Sequence, residues 1–225
     1  MNLAKSYTFF KPEMCQARIH IIGCGAIGST LAENLARFGL GGKMTLYDFD
    51  YVEEHNVANQ MFTYEDIGKL KVNAVAEMIS RIDPDAAAGL KVAGKGYTGQ
   101  KLSGYVFLCV DNIDLRREIA ESFVGNPNIK AFFDFRMRLT DAQHYAADWS
   151  NAKMVQAFLN SMQFSHDEAK AETPVSACNM TLSVCPTVRT IVAYGVSNFI
   201  NFVKGEPLRK LILVDSFAYT LDAFK

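Results

Sequence analysis

The sequence predicts an α/β fold: a doubly wound, mostly parallel sheet with helices on both faces and mixed strands near the C-terminus. Three observations predict it. Short apolar runs at 18–22, 44–47 and 105–110 alternate with helical patterns, as in repeated β-α-β units. The run at 105–110 is apolar almost throughout, as expected of a parallel strand covered on both faces. Between the first run and the first helix stand Gly23, Gly25 and Gly28, the glycine spacing of a nucleotide-binding turn.

Composition narrows the class. The chain has 225 residues, of which 49% are hydrophobic, enough for a sizeable core and most simply one unit over 1–225. That unit is expected to include an N-terminal arm at 1–17 and a mobile crossover-type loop at 163–186. A formal net charge of -1 gives no electrostatic case for nucleic acid or an anionic membrane. The five cysteines include no C-x-x-C pair, which disfavours a disulfide framework and a zinc ribbon, so no zinc is expected. No secretory pattern opens the chain, and the apolar stretch at 190–203 is too short and polar to span a bilayer. A cytoplasmic location is the expectation.

The elements follow in order. Residues 1–16 lack a period, and Pro12 would interrupt a helix, so they read as a loosely packed arm. Residues 18–22 form the first strand and 26–38 the first helix, with Ile27, Leu31, Leu35 and Phe38 on one face. Asp66 reads as the N-cap of a helix running to about Ile82, with Ile67, Val75, Met78 and Ile82 as its stripe. Residues 90–93 and 105–110 read as strands, 113–124 as a helix, and 130–134 as a strand. The alternation at 142–147 follows, then a helix at 152–162. Residues 163–174 are polar and acidic and read as a loop. A long helix at 187–204, a strand at 211–214 and an end segment at 218–225 complete the chain.

The glycine motif defines a Rossmann-like site. Gly23 permits the tight turn, Gly25 lets backbone approach a phosphate, and Gly28 lets helix and strand pack closely. The helix start, including Ala26 and Ile27, offers N–H groups to an anion. Asp48 ends the second strand about 20 residues beyond Gly28, where a carboxylate can accept ribose hydroxyls. Lys71 falls on the buried stripe of its helix, so it either snorkels outward or meets an anion. Asp111 and Asn112 follow the strand at 105–110, at the end where such sheets bind ligands. Asp111 is placed either to hold Mg²⁺ or to cap the helix opening near Ile113.

Further residues give a family likeness. Asp48-Phe49-Asp50-Tyr51-Val52-Glu53, then Asn56 and Gln60, then Asp66-Ile67-Gly68-Lys69-Leu70-Lys71 resemble the ThiF/MoeB/HesA family, bacterial relatives of the ubiquitin-activating enzymes. The resemblance is close over 18–136 and loose beyond. It implies adenylation by ATP and Mg²⁺ of the C-terminal glycine of a small ubiquitin-like or sulfur-carrier protein, with release of pyrophosphate. It implies a nucleotide site of the glycine loop with Asp48, Asp50, Asn56, Asn59, Gln60, Lys71, Asp111 and Asn112. Lys71, Asp111 and Gln60 would carry the chemistry, with Mg²⁺ on Asp111. It also implies a homodimer.

The chain departs from the family pattern at Asn59, where an arginine is usual. An N-terminal arginine that reaches the partner's nucleotide in the family is also missing, because the first arginine here is Arg18. Lys69, Arg136 or a partner's side chain could supply the charge. Otherwise the alternative is a non-catalytic, ATP-binding scaffold. An NAD-dependent oxidoreductase would suit Asp48 but leaves Asn56, Gln60 and Lys71 unexplained. The family uses a thiol near the crossover segment in some members. Cys178 is then the better candidate over Cys185, although two structural cysteines are the favoured reading.

Overall fold

The computed structural model describes residues 1–173, 175 and 182–225. Eight strands form one sheet: β1 (Ile19–Ile22), β2 (Met44–Tyr47), β3 (Lys91–Ala93), β4 (Gly104–Leu108), β5 (Ile129–Met137), β6 (Asp141–Asp148), β7 (Leu211–Asp215) and β8 (Thr220–Phe224). Their order is β3-β2-β1-β4-β5-β6-β7-β8. The first five in that order pair in parallel and the rest antiparallel. The helices are α1 (Ala26–Arg37), α2 (Lys71–Ile82), α3 (Ile113–Ser122), α4 (Ala152–Asn160), α5 (His166–Ala171) and α6 (Cys185–Val203). The expected α/β class, with mixed strands at the C-terminal end, is the observed one.

Strand alternation splits the core between two faces. Ile19 and Ile21 of β1, Phe107 of β4 and Phe133 of β5 face α1, α2 and α6, meeting Leu31, Val75, Val192 and Phe199. Ile22, Val106, Leu108 and Phe132 face the other way, toward Ile119 of α3 and Val155 and Phe158 of α4. The rings of Phe107 and Phe133 stack at 4.6 Å, and Phe199 meets both edge-on at 5.3 and 5.6 Å.

Several expectations are corrected. The arm is anchored, because Phe10 packs edge-on against Phe38 at 5.7 Å and Cys15 is fully buried. The helix expected from Asp66 begins at Lys71. Asp66 instead accepts the Thr63 N–H at 2.9 Å and closes a one-turn capping box over Tyr64–Asp66. Gly68, at φ 86°, then turns the chain, leaving Ile67 exposed rather than on a buried stripe. The polar stretch after 163 contains α5, whose capping box joins Ser165 and Glu168. Residues 220–224 form β8 on the open edge of β7. The final helix starts at Cys185, with Pro186 in its first turn.

Candidate active site

β1 is the switch point of the sheet. The chain leaves it toward β2 and β3 on one side and returns to β4 on the other. The crevice beyond the carboxyl ends of β1 and β4 is where ligands sit in such sheets. Gly23 turns the chain there at φ 97°, and its N–H donates to the Tyr47 carbonyl at 2.8 Å. A Cβ on Gly23 would lie 2.7 Å from Cys109 C and Val110 N. The exit of β4 therefore closes directly on the loop, two residues before Asp111 in the case of Cys109.

The other glycines differ in surroundings. A Cβ on Gly28 would stand 1.9 Å from the Gly23 carbonyl oxygen, so close backbone packing requires glycine. A Cβ on Gly25 would meet nothing within 4 Å. Gly25 is the N-cap of α1 and offers no side-chain cap. The N–H groups of Ala26, Ile27 and Gly28 have no protein acceptor among the described residues. The loop thus presents an open backbone surface with uncommitted donors at a helix start, which suits an anion.

Asp48 leaves β2 beside this loop. Its Oδ2 accepts the Cys24 N–H at 2.6 Å and its Oδ1 the Asp50 N–H at 2.8 Å. Each oxygen keeps a second acceptor position. Burial pushes the Asp48 carboxyl upward, opposed by those two N–H groups. Residues after Asp50 pair back with the start of α2: Val52 N–H donates to Lys69 O at 2.8 Å, and Tyr51 bridges Leu70. Lys71 is thereby fixed at the first position of α2. Its N–H donates to Asp50 O and its Nζ to Asp50 Oδ2, both at 2.9 Å. Lys71 is 8% exposed, so it is a held, buried cation and does not snorkel.

Asn56 is buried, and its Oδ1 accepts the Glu53 N–H at 2.9 Å, leaving its amide group for other partners. Asn59 donates to Ser183 Oγ, just ahead of α6. Gln60 carries a buried Oε1 with no hydrogen-bond partner among the described residues, an orphaned acceptor. Asp111 is exposed and does not cap α3. Asn112 takes that role, accepting the Leu115 N–H at 3.0 Å. Asp111 is left with no hydrogen-bond partner among the described residues. Among the described residues no group of three or more His, Cys, Asp or Glu could hold a metal ion. One carboxylate suits Mg²⁺ shared with phosphate oxygens, since that ion keeps waters and takes few protein ligands.

The expected substitutes for the missing charge are engaged elsewhere. Lys69 pairs with Asp66 at 3.1 Å and Glu77 at 2.6 Å. Arg136 and Arg116 both bind the fully buried Asp134 at 2.6 Å. Arg136 also donates to Ser161 O and Oγ and lies over the Tyr145 ring at 4.3 Å. Burial raises the Asp134 carboxyl, but the two guanidinium groups outweigh it and hold the carboxyl below its usual range. Arg18 is spent on Thr45 and the carbonyls of Gly42, Met44 and Gly89.

Cys178 lies outside the described residues. Burial pushes the Cys24 and Cys109 thiols upward, which fits structural cysteines. Cys185 opens α6 with its Sγ 3.4 Å from Arg189 Nε. Sequence reasoning missed Arg189 and Ser29. Arg189 carried a signal, being the lone charged residue between Cys185 and Val203.

A loop with uncommitted N–H donors at the switch point, with an acid at the end of β2 and a buried lysine beside it, defines an α/β protein of the nucleotide-binding kind. The chain belongs to the ThiF family, whose model matches residues 12–222. It is similar to ubiquitin-like modifier-activating enzyme 5 of Drosophila persimilis, 30% identical over 135 residues, which cover 53% of this chain and 34% of that protein. The Drosophila mojavensis protein of the same name is 38% identical over 85 residues, 38% of this chain and 20% of its own length. The match thus spans about a third of the one curated relative and a fifth of the other. In fold it is similar to E. coli MccB, solved with ATP, at a TM-score of 0.74 and 16% identity, covering 94% of this chain and 64% of that one. PaaA is similar at a TM-score of 0.65 and 16% identity, covering 95% and 65%. Among the described residues no helix is long and apolar enough to cross a membrane.

Proposed function

We propose that this chain adenylates the C-terminal glycine carboxylate of a small ubiquitin-like or sulfur-carrier protein. One observation carries the reading: the open Gly25 backbone, with the uncommitted N–H groups of Ala26, Ile27 and Gly28, follows directly on Gly23, which closes on the strand exit leading to Asp111. The name of the Drosophila relatives and the ATP in the MccB structure support it.

In the reaction a carboxylate oxygen bonds to the α-phosphorus of ATP, the bond to the bridging oxygen breaks, and pyrophosphate leaves with the electron pair. Both reactants are anions, so the site has to neutralise charge and align them. The N–H groups at the start of α1 hold phosphate oxygens. Asp48 accepts from the ribose hydroxyls. Gln60 offers its vacant Oε1, and the free amide of Asn56 donates, to the nucleotide. Lys71 turns its Nζ from Asp50 toward the phosphates, and Asp111 would hold Mg²⁺, which would supply further charge neutralisation for the phosphates. Cys178 is the proposed acceptor for an onward acyl transfer, and a homodimer the proposed assembly.

One observation favours a second reading, ATP binding without catalysis. Asn59 has no positive charge, and its amide is taken by Ser183. ATP–pyrophosphate exchange with candidate carriers separates the two. Carrier-dependent exchange lost in Asp111→Ala is the result expected. ATP binding without exchange for any carrier would favour the second reading.

A further inference from the structure

The geometry points to Arg189 of α6 as a phosphate-binding residue of the nucleotide site. This rests on the adenylation reading for the identity of the ligand, ATP, and adds a residue from a distant part of the chain.

Arg189 is half-buried and forms no ion pair among the described residues. The seven residues outside them contain no acid either. Its polar contacts among the described residues are two sulfurs: Nη1 lies on Met61 Sδ and Nε on Cys185 Sγ at 3.4 Å. Sulfur is a weak acceptor, so a guanidinium with five donors is left largely unsatisfied. A guanidinium removed from water without an anion is costly, and its planar fork matches phosphate oxygens.

Its position ties it to the loop. Met61 donates its N–H to Ser29 Oγ at 3.1 Å, and Ser29 Oγ donates to Gly25 O at 2.7 Å. Arg189 therefore touches the residue that is hydrogen-bonded to the first turn of α1. Gln60, next to Met61, carries the orphaned Oε1. Ser183 binds Asn59 from the same side, so the start of α6 is clamped onto 59–61. Among the described residues, a cation without an ion pair and an acceptor without a partner are thus tied through Met61 and Ser29 to the helix start that carries the uncommitted backbone donors. Arg189 is also the lone charge in an otherwise uncharged helix of 19 residues. Packing against the core gives no reason for it.

The test is calorimetric titration of Mg-ATP and of adenosine into the wild type, Arg189→Gln and Arg189→Met. Both variants keep much of the side-chain stem, and circular dichroism verifies their fold. The expected result is a loss of about 10- to 100-fold in ATP affinity, as for a charge-assisted contact, with adenosine affinity unchanged. Unchanged ATP affinity, or an equal loss for ATP and adenosine, would overturn the assignment. Wild-type protein that binds adenosine and ATP equally would also overturn it. Wild type that binds no ATP at all overturns the adenylation reading itself, and the two failures are thus distinct.

Discussion

Gly25 and Gly28 stand on the same turn, yet a methyl group meets opposite surroundings at the two. Gly28→Ala drives a Cβ to 1.9 Å from a backbone oxygen, which no rotamer change relieves. The variant should lose about 3 kcal/mol or more, read by urea unfolding. Gly25→Ala enters open space, and its φ of -74° is not in the left-handed region that favours glycine. Its unfolding midpoint should stay put while ATP affinity falls, because the methyl occupies the surface where phosphate would lie. Asp111 and Asn112 form a second contrast. Asn112→Ala removes the α3 cap and should cost about 1 kcal/mol. Asp111→Ala should leave stability within about 0.5 kcal/mol, as for an exposed residue without partners, yet abolish exchange. Lys71→Ala should slow exchange by about 100-fold or more, the scale of losing one charge-stabilising donor.

At the scale of elements, the legible parts were those with strong periodicity. The apolar runs at β1, β2 and β4 and the α1 stripe all formed near their expected limits, because burial on both faces leaves little freedom of pattern. The start of α2 was misread because Asp66 and Thr63 make a complete capping box, and nothing local says that it closes after one turn. Helix α5 and strand β8 were missed for a related reason. Their residues are largely exposed, so neither shows a buried period. For the candidate site, the residues on the two strand exits and the loop could be read in order, since they follow a local spacing. Arg189 could not, because its meeting with Met61 spans 128 positions and depends on how α6 docks. The Asp134 pair belongs here too. Arg116→Met would leave a buried carboxylate with one partner fewer, and a loss of about 3 kcal/mol or more is expected by chemical denaturation.

At the scale of the whole molecule, two buried histidines set the acid limit. His144 lies between Phe133 and Phe135, donating from Nδ1 to Asp134 O at 3.2 Å and accepting at Nε2 from Asn198 at 3.2 Å. The Asn198 amide is itself fixed by two bonds to the Arg209 backbone, at 2.9 Å each, so it cannot flip to accept a second imidazole proton. Burial pushes His144 and His20 down to about 4. The unfolded chain binds those protons near pH 6.5, so it holds more protons than the folded one between 6.5 and 4. Stability is therefore complete above about pH 6.5 and falls as the pH drops toward 4, by about 3 kcal/mol for each histidine. Asp134 and Asp66, held low, add their losses at still lower pH, whereas Asp48, raised by burial, works in the opposite sense. Urea midpoints at pH 7.5 and 5.0 check this, with a lower midpoint and an unchanged slope expected at 5.0.

The central place of β1 has a consequence for synthesis. Ile19–Ile22 pairs with β2 on one side, but its other neighbour is β4, which ends at Leu108. A chain growing from its N-terminus can fold β1, α1 and β2 early, yet it holds an apolar, unpaired strand edge until nearly half the sequence has been made. Over that interval Gly23 lacks the Cys109 and Val110 backbone on which its turn closes. Until β4 arrives, that edge is open to pairing with other chains, and the glycine loop stands without its floor.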